Sequence, residues 1–161
     1  MSRSPLRNIL AAVLFITSAS LCAFTQAHMP KFADYRVATV YNGPNAPVKL
    51  TRDDQSFRTR IRNAARDKRN FAGEYILAQW GCGAECLSTV VISARTGKFY
   101  SVPFSICCWS SDVDAVEFRL NSRLLVLRGI RDESEKDSEK DTHYYEFRNG
   151  RFRFIRTVKR Q

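Results

Sequence analysis

The chain has 161 residues, 44% of them hydrophobic and 12% aromatic, which supplies one packed domain and excludes a disordered polar tail. Its 26 lysines and arginines outnumber 16 acidic residues, and the formal net charge of +10 favours anionic over cationic partners. Beyond the first residues, no apolar run approaches the about 20 residues of a membrane-crossing helix, so no transmembrane anchor is expected.

Residues 1–27 read as an export signal. Arg3 and Arg7 give a positive start, residues 9–23 are apolar apart from Thr17, Ser18 and Ser20, and Thr25-Gln26-Ala27 supplies the cleavage positions before His28. The expected product is a single disulfide-stabilised domain, residues 28–161, periplasmic or secreted. A lipid anchor on Cys22 is disfavoured by Leu21, which stands where such signals carry a small residue. Removing Arg3 and Arg7 still leaves about eight more basic than acidic residues. Export shifts the expected partner from nucleic acid, which is not expected, to an anionic envelope component or an acidic protein.

In chain order, residues 35–41 alternate as a strand does, and the turn formers of 42–47 interrupt them. Thr51 before Arg52-Asp53-Asp54 is an N-cap candidate with acidic residues in the first turn, and predicts a helix over 52–68. Phe57, Ile61, Ala64, Ala65 and Lys68 recur at helical spacing, with Arg58, Arg62, Arg66 and Arg69 as a basic stripe beside them. Strands follow at 74–80, 87–93 and 99–104, the last two joined by a hairpin at Arg95-Thr96-Gly97-Lys98. Strands at 116–120 and 123–130 turn about Asn121-Ser122. Residues 124–127 are apolar on both faces, which predicts a central strand with the helix as its cover.

Residues 131–141 contain Ser134-Glu135-Lys136-Asp137 repeated at once as Ser138-Glu139-Lys140-Asp141. With no apolar residue and no glycine turn of the calcium-loop kind, this reads as a solvated extension that adds little to stability. The last hairpin turns at Asn149-Gly150, pairing Phe147 with Phe152, Tyr145 with Phe154 and Glu146 with Arg153. The expected fold is α+β, mainly an antiparallel β-meander of about seven to nine strands with one amphipathic helix packed on the sheet.

Four clustered cysteines, Cys82, Cys86, Cys107 and Cys108, are read as structural disulfides of an exported domain. A two-residue turn at Thr96-Gly97 sets Cys86 opposite Cys107 and leaves Cys82 for Cys108; a bulge at Gly97 would pair Cys86 with Cys108 instead. A bond between Cys107 and Cys108 needs a strained small ring and is the least expected. Their spacing suits neither a zinc knuckle nor a Cys-x-x-Cys redox site, and no metal or cofactor is expected. The histidines are His28 and His143 alone, and no nucleophile, zinc or phosphate-loop motif is present, so no catalytic residue is assigned.

The function expected is therefore non-enzymatic binding. Trp80 and Trp109 are its candidate anchors at one end of the sheet, unless they only cover the disulfides. Arg58, Arg62, Arg66 and Arg69 form a second candidate surface. The alternatives are an envelope hydrolase, which would need His143 or a free thiol in a pocket with carboxylates, and an inhibitor or immunity protein directed at an acidic partner.

The segments Asn70-Phe71-Ala72-Gly73-Glu74-Tyr75, Trp80-Gly81-Cys82-Gly83-Ala84-Glu85-Cys86 and Cys107-Cys108-Trp109 resemble those of a group of small, uncharacterised exported proteins of Gram-negative bacteria. The resemblance covers most of residues 28–161, with Trp-Gly-Cys-Gly-x-x-Cys as its most specific part. It implies a periplasmic location and no particular activity or site residue.

Overall fold

A computed structural model describes residues 28–50, 57–83, 85–132 and 134–159. The export signal, Cys22 and the proposed cap at Thr51 lie outside the described residues. The order is a 3-10 turn Phe32–Tyr35, α1 Arg58–Ala64, β1 Tyr75–Gly83, β2 Cys86–Ser93, β3 Phe99–Ser101, β4 Ile106–Cys107, β5 Val116–Phe118, β6 Leu124–Arg128, β7 Ile130–Arg131, β8 Thr142–Arg148 and β9 Arg151–Val158. The class is α+β and every strand pair is antiparallel.

The strands divide between two sheets. One runs β1-β2-β4-β7, with β3 also on β2, and the other runs β5-β6-β8-β9. The main apolar cluster draws Leu77, Val91 and Ile106 from the first sheet and Leu125, Leu127 and Phe147 from the second. Phe71, with no exposed surface, sits among them edge-on to Phe118 at 6.2 Å. The chain passes between sheets at Gly129, whose φ of +111° and close approach to the Cys107 carbonyl, 2.4 Å from where a Cβ would stand, exclude a side chain.

The cover of the central strand is not the helix. The outer face of β6, Leu124 and Val126, packs with Tyr144 against Phe32 and Tyr35 of the N-terminal arm. The arm is pinned by Ser122, whose hydroxyl donates to the Phe32 carbonyl at 2.9 Å. Residues 35–41, expected as a strand, form none: Tyr35 joins this cover, Val37 packs in the cluster between the sheets and Tyr41 on the helix side, and among the described residues the segment bridges a sheet only at Arg36↔Ser122. Helix α1 lies instead on the first sheet, where Ile61, Ala64 and Ala65 meet Ile76, Val90 and Ile92. Both sheets present a second apolar face, so amphipathicity alone does not choose between them.

The helix ends at Ala64 rather than at 68. The Asn45 amide donates to the carbonyls of Ala65 and Asp67 at 3.0 and 2.9 Å, while the Arg66 and Asp67 N–H groups tighten to bonds three residues back. At the last hairpin the expected register is present. Phe147↔Phe152, Glu146↔Arg153 and Tyr145↔Phe154 pair, and Asn149 and Gly150 both adopt the positive φ of a two-residue turn.

Candidate functional site

The expected arginine stripe separates into unlike parts. Arg69 is not on the helix. Its Nη1 donates to the Gly43 carbonyl at 2.9 Å and to Asn45 Oδ1 at 3.0 Å, and its guanidinium lies 5.4 Å from the Tyr41 ring centre, so it clamps the arm. Arg58 is half-buried. Arg62 and Arg66 are exposed and make no ion pair or side-chain hydrogen bond among the described residues. They line an open groove of about 660 Å³ whose opposite wall is residues 45–48, placed there by backbone bonds of Ala46 to Ala94 and of Lys49 to Gly97. Two unneutralised guanidiniums on one wall of an otherwise largely apolar groove have the charge and the donor fork that suit an anion.

A second basic surface lies at the last hairpin. The register at Asn149-Gly150 puts Arg148 directly opposite Arg151, like charges in the position where they repel, and neither has an ionic partner among the described residues. With Arg153 they border a shallow groove of about 670 Å³ beside Phe152. The signal was available, since Phe147 opposite Phe152 already fixes the next pair.

At the other end of the first sheet, Cys86 stands opposite Cys107 as expected. The route differs. Ile92 pairs with Phe99 at a connection wider than two residues, and segment 102–105 absorbs the offset. The disulfide is Cys82–Cys86, with Cα atoms 5.1 Å apart, which corrects both expected pairings. Cys82 and Cys86 flank the β1–β2 turn, which brings them within bonding range without any partner from β4. Cys107 and Cys108 hold their sulfur atoms 2.7 Å apart.

Trp80 and Trp109 are not brought together. Trp80 stacks on Phe57 at 5.5 Å and packs on the helix side of the first sheet, whereas Trp109 packs into the cluster between the sheets and touches Gly129. Each is half-buried and covers its own apolar face.

The duplicated loop is not a solvated extension. Each repeat is one turn, with the Asp137 N–H on the Ser134 carbonyl at 3.1 Å and the Asp141 N–H on the Ser138 carbonyl at 2.9 Å, and each turn drives its aspartate inward. Asp137 receives Arg131 through two nitrogens at 2.7 and 3.0 Å, and Arg131 also donates to the Tyr145 hydroxyl at 2.7 Å. Asp141 receives Lys159 at 2.8 Å and the Ser138 N–H at 3.0 Å. His143, fully buried, bonds Thr157 Oγ1 and the Gly129 carbonyl, each at 2.8 Å, with Asp137 Oδ2 at 3.6 Å.

Burial pushes His143 below its ordinary value. The Arg131 bond holds Asp137 low, and Asp141 is low because Lys159 and Ser138 outweigh the burial that raises it. A histidine with both ring nitrogens engaged and no accessible surface does not reach a substrate, so the corner holds the fold. Among the described residues no group of three or more His, Cys, Asp or Glu could hold a metal ion, and no helix is long and apolar enough to cross a membrane. Comparison with known proteins finds no matching family model, curated protein or solved structure.

Proposed function

We propose that this chain is a small exported binding protein whose ligand is an anionic component of the cell envelope, taken up in the groove beside α1. The observation that carries this reading is the pair Arg62 and Arg66, exposed on one groove wall with no counter-charge among the described residues. By contrast, Arg123 and Arg153 share Glu146, and Arg128 meets Glu117 at 2.7 Å. Export rests on residues 1–27 and on the disulfide Cys82–Cys86, which suits an oxidising compartment. Membership of the exported group it resembles belongs to the same proposal.

The test is co-sedimentation of the domain of residues 28–161 with vesicles of anionic phospholipid, against vesicles of neutral phospholipid. Binding only to the former, weakening as salt rises, supports the reading. Equal binding to both, or none, refutes the phospholipid form. Selective capture of an acidic protein on the same groove would support the acidic-partner reading instead.

A further inference from the structure

Two cysteine pairs come together at one end of the first sheet, one disulfide-bonded and one not. The Cys82–Cys86 disulfide closes the β1–β2 turn with Cys82 exposed. Cys86 lies directly opposite Cys107 across β2 and β4. Directly opposed residues of an antiparallel pair point to the same face, with Cβ atoms about 4.5–5.5 Å apart, so one side-chain rotation brings the Cys107 sulfur to the bonded sulfur of Cys86. Next in the chain, Cys108 turns into a left-handed conformation, φ +54°, and this turn brings its sulfur to 2.7 Å from that of Cys107, well inside the separation of sulfur atoms that are merely packed together. Non-glycine residues adopt such a backbone rarely, and where they do the surroundings enforce it, commonly at working sites. Gly129 and Trp109 crowd this turn from behind.

We propose that these cysteines are a thiol–disulfide exchange site in which the disulfide moves between the exposed Cys82–Cys86 turn and the vicinal pair Cys107–Cys108. The inference goes beyond the binding function and does not depend on it. The Cys107 thiolate attacks the Cys86 sulfur; the Cys82–Cys86 bond breaks, and its electron pair leaves on Cys82, which takes up a proton. The Cys108 thiolate then attacks Cys107, forming the vicinal disulfide and releasing Cys86 as the second thiol. One disulfide and two thiols are present before and after, so no outside oxidant is consumed. The transfer carries a dithiol to the exposed turn, and the matching substrate is a disulfide on another protein. Attack on it by Cys82 and resolution by Cys86 leaves that partner with two thiols and restores the Cys82–Cys86 bond.

The test uses the reduced domain of residues 28–161, oxidised with one equivalent of glutathione disulfide, quenched in acid, alkylated and mapped by mass spectrometry. In the wild-type protein a measurable fraction of the peptide holding Cys107 and Cys108 is expected to escape alkylation at both, while Cys82 and Cys86 are alkylated in that same fraction. Double alkylation of Cys107 and Cys108 in every molecule overturns the proposal. In Cys82→Ser, which removes the competing bond, the disulfide is expected to distribute between Cys86–Cys107 and Cys107–Cys108. If Cys86 in that variant ends instead in a mixed disulfide with glutathione or in a dimer between chains, Cys86 and Cys107 do not exchange and the proposal fails.

Discussion

Arginines at two places in this molecule have opposite fates. At the corner where the chain crosses between sheets, Arg131 is bonded to Asp137 through two nitrogens and to Tyr145, and Lys159 closes on Asp141. Beside α1, Arg62 and Arg66 stand exposed in a groove with no such partner. Net charge does not distinguish these cases. A guanidinium whose neutralising carboxylate is buried with it serves the fold, and one left without a counter-charge on a concave surface is available to a ligand.

If the corner is structural, its disruption should be the costliest single change. Asp137→Ala leaves Arg131 half-buried without its carboxylate and should cost about 3–5 kcal/mol, the scale of breaking a buried pair. Adding Arg131→Met should recover part of that loss, as removing both partners of such a pair often does. A loss below about 1 kcal/mol in a urea melt would return the loop to the solvated reading.

The cysteine end should rank next. Cys82→Ala with Cys86→Ala opens only a short loop, and the chain-entropy estimate for so small a ring is about 2 kcal/mol. A larger loss than for Asp137→Ala would reverse the order of the two anchors.

Acid should act through the corner and not through the groove. His143 has a folded value below its unfolded 6.5, so it is neutral in both states above that pH, and stability declines as pH falls below 6.5 because the unfolded chain takes up the proton first. Asp137 and Asp141 are also held low; their contribution is present above their unfolded 3.8 and is lost as pH falls on through their folded values. Urea melts at pH 7.5, 5.5 and 3.5 should therefore show two successive losses. A stability unchanged between pH 7.5 and 5.5 would contradict the burial of His143.

What was legible in the sequence was chemistry that acts locally. Asn149-Gly150 fixed its own register because only a turn with two positive φ angles fits there, and three cross-strand pairs followed. The position of the helix was not legible, since Leu124 and Val126 on one sheet and Ile76 and Val90 on the other offer it equivalent apolar faces. Nor was the burial of Asp137 and Asp141. Acidic residues in a polar repeat read as solvated until their partners are known, and Lys159 lies on the far side of two strands in sequence. Nor was the disulfide legible, since Cys86 stands opposite Cys107 across β2 and β4 and also flanks the β1–β2 turn with Cys82, and spacing alone does not choose between the two.

The smallest expected effect on stability is that of Arg62→Glu with Arg66→Glu, within about 0.5 kcal/mol per substitution, as for surface positions without partners. The same double variant tests the proposed function most directly, by comparing its affinity for anionic phospholipid vesicles with that of the wild-type domain across a salt series. A basic side chain near an anionic surface is worth about 1 kcal/mol, so reversing two should weaken binding about tenfold or more at low salt and flatten its salt dependence. An unchanged affinity with an unchanged salt slope, in a variant that melts like the wild type, would contradict the account.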